Sequence, residues 1–403
     1  MAGEPEPTTS LKSLILDLPP SCIEFCPAHP SYFVVGTYNL EKDEAHSEPP
    51  AEGEDDVKGA QEVKRKQNRK GSLVVFRLGK SEVAQVQTFQ YPSAILDLHF
   101  HPSQLDVCAV VSSTGALSFF RLTDSGLLEE IVSHSSLGSS EGVLFLSCAW
   151  HPVIHNLLAI TTSDFQVHIF HIDSDWTAHA TNDEPVALHQ LEAWTSAFSP
   201  FVSGLRDGEQ LQELILFSGG DDSRLLASAV AYSSPTPHAD TTSVIQGLSP
   251  PRGFKGHQAG VTAILPLPLH FADESSIIVT GSYDDHIRVF RFSGHLQPPV
   301  LLAEKNLGGG VWRLKAISAS VVDEEGWQAV LLASCMHAGT CVVQVCGDRS
   351  GNSQVKVLGR FKEHKSMNYG SDFSPPSAKL GKPLQVISTS FYDRLLCLWE
   401  FKI

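Results

Sequence analysis

Ile277-Ile-Val-Thr-Gly-Ser-Tyr-Asp-Asp-His-Ile-Arg-Val-Phe290 reads as two β-strands joined by a tight turn. Ile277 to Thr280 is an apolar, mostly β-branched run, and Ile287, Val289 and Phe290 resume a strand. Between them Gly281 tolerates a positive φ, and Asp284 can bond its own backbone, so the chain reverses there. A bulky residue follows the turn residue Asp284 by six positions, and that spacing recurs. Thr114 leads to Phe120, Asp164 to Phe170, Asp222 to Ser228, His337 to Val343 and Asp393 to Trp399. A seventh copy is interrupted: Val35 to Asn39 ends one strand and Gly71 to Phe76 begins the next.

Each hairpin follows a short apolar segment, often closed by proline: Ile23–Pro27, Leu96–Pro102, Ser147–Pro152, Trp194–Pro200, Val261–Pro266, Val311–Lys315 and Tyr369–Ser374. Seven hairpins and seven lead-in segments, with Gly256-His257 opening one unit, resemble WD40 repeats lengthened by insertions. The expected fold is all-β, a seven-bladed WD40 β-propeller, because one such sheet buries both faces only between neighbours in a closed ring. The last unit ends after its third strand, at Trp399-Glu-Phe-Lys-Ile403. Leu11 to Leu18 is therefore expected to supply the fourth strand and close the ring, which removes two sheet edges. A loose N-terminus over 1–10 precedes a single propeller over 11–403, with a disordered insertion over 41–70, acidic then basic.

The net charge of −16 argues against nucleic acid or an anionic membrane as partner. No charged-then-apolar leader and no long apolar run is visible, so a cytoplasmic monomer is expected, with Lys64-Arg-Lys66 a weak nuclear signal. Eight cysteines without a Cys-x-x-Cys pair read as small core residues, and neither a metal nor a cofactor is expected. No Gly-x-Ser-x-Gly elbow, His-Glu-x-x-His helix or phosphate loop occurs. From these features alone a binding platform is the default.

In WD40 geometry the starts of inner strands share a rim with the hairpin turns. That rim collects Glu192, Trp194, Asp222, Asp284, Gly309, Gly310, Trp312, His337, His364, Ser366, Tyr369, Asp372, Tyr392 and Asp393. The triple glycine at 308–310 offers backbone N–H groups to an anion or simply makes a turn. His337 stands where other units carry a turn Asp, as a base at the rim or as a structural replacement. His364 stands where the Gly-His of a WD40 unit would bond the turn Asp.

Several strings are more specific: Gly219-Gly-Asp-Asp222, Leu307-Gly-Gly-Gly-Val-Trp-Arg-Leu-Lys315, Cys335-Met-His-Ala-Gly339, His364-Lys-Ser-Met-Asn-Tyr-Gly-Ser-Asp372 and Ser390-Phe-Tyr-Asp-Arg394. They resemble the diphthine methyl ester hydrolases, WD40 proteins of diphthamide biosynthesis, from about Glu192 onward. The resemblance implies a carboxylic ester hydrolase that demethylates methylated diphthine on elongation factor 2, with no cofactor. A propeller that only docks elongation factor 2 or the amidation machinery is the alternative. The implied substrate carries a trimethylammonium group, which calls for aromatic faces and carboxylates. Trp194, Trp312, Tyr369 and Tyr392 with Glu192, Asp222, Asp284 and Asp393 are the candidates. For the chemistry, His337 or His364 is expected to activate water, with Asp372 orienting it and the N–H groups of Gly309 and Gly310 near the oxyanion. Ser366 as covalent nucleophile ranks second and a metal-held water third.

Overall fold

The computed structural model describes residues 6–40, 69–135, 137, 142–182, 184–204, 211–233, 245–269, 271, 273–294, 297–322, 326–348, 351–374 and 383–402. The β-branched and aromatic runs form strands throughout, and no α-helix occurs among the described residues. Seven antiparallel sheets follow one another around a central channel. Their inner strands are Pro20–Phe25, Ile95–Phe100, Phe145–Trp150, Ala193–Phe198, Val261–Pro266, Arg313–Val321 and Gly370–Phe373. Neighbouring inner strands pack in sequence order around the ring, and the last packs on the first.

Ser10–Ile15 pairs with Leu395–Phe401, so the N-terminus supplies the outer strand of blade 7 as its apolar pattern predicts. The strand stops at Ile15, and the chain enters the inner strand of blade 1 at Pro20. Residues 1–5 and 41–68 lie outside the described residues, and with them most of the expected loose terminus and charged insertion. Thr8 and Ser10, by contrast, are anchored: Thr8 bridges Phe361 and the Ser10 N–H donates to Glu363 at 2.9 Å.

The core lies between blades. Ile277, Val279 and Ile287 of blade 5 meet Leu331, Ala333 and Val343 of blade 6, all fully buried. Trp399, the tryptophan that the spacing places at the end of the last hairpin, stacks on Phe361 of blade 6 with centroids 5.2 Å apart. The hairpin registers match the spacing in the sequence. Gly281 pairs with Ile287, Gly219 with Leu225 and Ser334 with Thr340, which puts Asp284, Asp222 and His337 at the midpoints of their turns. No helix among the described residues is long and apolar enough to cross a membrane.

Candidate functional site

Antiparallel pairing fixes which residues share an end of the ring. Val261, at the start of an inner strand, faces Ser282 at the end of the next strand, so inner-strand starts and hairpin turns crowd one mouth of the channel. Trp194 and Trp312 lie at or just before inner-strand starts, and Tyr369 precedes Gly370. Tyr283 and Phe391 come from turns. Together they form a continuous aromatic crown. Trp312 is its hub, with centroids 5.6 Å from Trp194, 5.8 Å from Tyr283 and 5.0 Å from Tyr369. Tyr369 continues to Phe391 at 5.5 Å, and Phe391 to Tyr38 of blade 1 at 5.9 Å and to the exposed Tyr392 at 5.1 Å.

One carboxylate belongs to this crown. Burial pushes the Asp221 carboxyl above its usual range, the Trp194 indole pulls it down, and Glu192 and Asp222 push it up. Asp221 also raises the Tyr283 hydroxyl, whose main cause is again burial. The spacing of the repeats singles out Asp222 and passes over its neighbour. Asp222 is the turn residue, and Asp221 is the one that reaches the aromatic rings.

Below the crown a charged layer lines a cavity of about 240 Å³. Arg313, next to Trp312, reaches across the channel from blade 6 to Asp97 of blade 2, at 2.8 and 3.3 Å. Lys315 donates to Asp372 at 2.7 Å and lies 3.5 Å from Glu24. His99 joins Glu24 at 3.1 Å and Asp97 at 3.5 Å. Burial alone would raise Asp97, but Arg313 and His99 hold it down at about 2. Burial alone would lower His99, but Asp97 and Glu24 push it up to about 10. Burial pushes Asp372 up while Lys315 pulls it down, and their 2.7 Å contact is that of an ion pair.

The acids also clasp adjacent blades. Asp372 accepts from the Phe25 N–H, Glu24 from the Phe100 N–H and Asp97 from the Cys148 N–H, which links blades 7, 1, 2 and 3 in order. Asp372 is fully buried, so the proposed orientation of a water by this carboxylate has no exposed surface from which to act.

Most of the other expected site residues belong to the walls. His364 is buried and its Nε2 pairs with Ser388 Oγ at 2.8 Å; Ser388 also takes the Trp399 indole N–H. Burial lowers His364 to about 4. Asp393 accepts from the Lys365 N–H, Ser366 Oγ and Ser390 Oγ. Ser366 Oγ is thereby held, and it accepts from the Tyr392 N–H at 2.9 Å as well. Asp222 holds His189 and the Gln190 N–H, and Asp284 holds Arg288 and the Gln258 N–H. These are one turn device used three times, in which Asp222, Asp284 and Asp393 anchor their turns. Glu192 is half-buried beside Asp221.

Gly309 and Gly310 are glycines because of close approach. A Cβ on Gly309 would sit 2.4 Å from the Cys335 carbonyl oxygen, and one on Gly310 would sit 2.7 Å from Met336 Sδ. His337 is exposed at its turn and has no side-chain hydrogen bond among the described residues. Among the described residues no group of three or more His, Cys, Asp or Glu side chains forms a metal-binding cluster.

Residues 248–291, which hold the fifth hairpin, match the family model described as WD domain, G-beta repeat. The chain is 31% identical to the diphthine methyltransferase of Schizosaccharomyces pombe over 82% of its own length and 86% of that protein. The chain belongs to the diphthine methyltransferase family. A diphthine methyltransferase homolog of Dictyostelium discoideum is 26% identical over 95% of this chain and 97% of its own. The human diphthine methyltransferase is also 26% identical, over 91% and 74%. The resemblance read from the triple-glycine and His364–Asp372 strings thus identifies the right family. The enzyme class inferred from it does not hold: these relatives carry a methyltransferase name, which conflicts with a carboxylic ester hydrolase.

Proposed function

We propose that this chain acts in diphthamide biosynthesis, on the diphthine side chain of elongation factor 2, at the step that involves its methyl group. The crown is the observation that carries this reading. A trimethylammonium group cannot donate hydrogen bonds and is held by aromatic faces and nearby negative charge. Trp312, Trp194, Tyr283 and Tyr369 supply the faces and Asp221 the charge, at the open end of a channel. A protein-borne side chain can enter such a mouth while the rest of its carrier stays on the rim. The relatives' printed name supports the same substrate.

The test uses elongation factor 2 carrying diphthine or methylated diphthine, with a sulfonium methyl donor present or absent, read by intact mass. The expected result is a shift of one CH2 that requires this chain, slowed about tenfold in Trp312→Ala, the order of a desolvated cation–π contact. An unchanged mass with elongation factor 2 still bound would overturn a catalytic role and leave a docking platform.

A further inference from the structure

A second cavity, of about 350 Å³, opens at the far end of the ring, in the cleft between blades 4 and 5. Strand direction fixes its place. Ser276–Ser282 starts at the cleft and ends at the Asp284 turn beside the crown, and His286–Phe292 returns from that turn to the cleft. The lining is acidic and hydroxylic. Asp273 and Glu274 stand exposed on the blade 5 side, and Glu213, which already has a partner, lines the blade 4 side. The Ser275 hydroxyl donates to Asp273 Oδ1 at 2.7 Å and the Ser275 N–H at 3.1 Å. That hydroxyl is the main cause that holds the Asp273 carboxyl below its usual range; burial opposes it and Arg291 adds a weaker pull. Among the described residues, three carboxylates against Arg291 leave the cleft negative.

Ser276 is an independent mark of a ligand. It is 5% exposed, lines the cavity, and its hydroxyl makes no hydrogen bond among the described residues. By contrast, the buried Ser275 and Ser199 hydroxyls are both engaged, by Asp273 and by the Phe201 N–H. A buried hydroxyl left unpaired is costly, so a ligand that pairs with it is favoured.

We propose that this cleft binds a guanidinium group, carried by an arginine side chain of a peptide or by a small free guanidine. The lining selects this cation. Guanidinium presents a planar fork of N–H donors, which meets carboxylates on one edge and hydroxyls on another. A metal ion needs a compact ligand set, and among the described residues no group of three or more His, Cys, Asp or Glu side chains forms one. A quaternary ammonium has no N–H to offer and suits the aromatic rings of the crown instead. Ile215 and Phe292 give the cleft an apolar wall against which the alkyl arm of such a ligand packs.

The experiment is calorimetric titration of the full chain with four probes: N-acetylarginine amide, its neutral citrulline counterpart, agmatine and tetramethylammonium. The arginine probe is expected to bind about threefold more tightly than the citrulline probe, the order of an exposed ion pair. Asp273→Asn combined with Glu274→Gln brings that ratio near one, and Ser276→Ala weakens both probes alike. Should the double variant fail to fold, Glu274→Gln alone lowers the ratio in the same direction. Tighter binding of the arginine probe than of agmatine assigns the site to a peptide, and the reverse order assigns it to a free guanidine. Trp312→Ala leaves the ratio intact, because this site stands apart from the crown. The proposal is overturned if neither guanidinium probe binds, if the ratio is near one in the wild type or survives the double substitution, or if tetramethylammonium displaces the arginine probe.

Discussion

At the residue scale, one aromatic side chain and one histidine separate binding from building. Trp312 touches three other rings around the mouth, so Trp312→Ala is expected to weaken tetramethylammonium about tenfold, read by titration, with little change in melting. His364 makes the opposite prediction. Its ring bonds Ser388 inside blade 7, so His364→Ala is expected to cost about 1–3 kcal/mol of stability in denaturant titration and to leave tetramethylammonium binding unchanged. Three histidines, the buried His151 and His364 and the half-buried His257, are each held down to about 4, chiefly by desolvation. Their depressed values mean that the fold favours the neutral ring. That contribution is complete above pH 6.5 and is lost as pH falls through about 4, so melting temperature should drop across this window. A melt that is flat from pH 6.5 to 4 would contradict the burial of these rings.

At the scale of elements, the inner strands are joined by acids as well as by packing. Asp372 reaches from blade 7 to the Phe25 N–H of blade 1 and to Lys315 of blade 6. Asp372→Ala leaves the half-buried Lys315 and the Phe25 N–H without their acceptor, and about 1–3 kcal/mol of destabilisation is expected in chemical denaturation. An Asp372→Ala chain with wild-type stability would exclude the clasp. The His99 link shows on the alkaline side. Its raised value contributes stability that is present below pH 6.5 and lost as pH rises through about 10, and His99→Gln should flatten that limb of the melting profile. Asp372 also shows where spacing misleads. An aspartate within an apolar inner strand stands out in the sequence, but its partners come from blades 1 and 6, beyond what the local pattern carries.

For the whole molecule, ring closure depends on a strand borrowed from the other end of the chain. Deleting residues through Ile15 would bare the Leu395–Phe401 edge and remove the Ser10–Glu363 contact. The expected result is a melting temperature lower by at least about 5 °C, together with self-association in sedimentation, because an unpaired edge recruits another strand. Repeat count, turn positions and this closure were all legible in the sequence, because each depends on local chemistry: β-branched runs, turn residues and a period. The aromatic rim was partly legible, since Trp194, Trp312 and Tyr369 precede inner strands, while Tyr283, Phe391, Tyr38 and Asp221 carried no local mark. The facing charges of the channel were not legible at all. Arg313 and Asp97 stand 216 positions apart and meet only because seven sheets close around one axis. Period and turn chemistry therefore determined the ring. Which polar side chains face the channel, and which are used up inside the walls, was decided only by the tertiary structure, because hydrogen-bond partners depend on proximity in space and not along the chain.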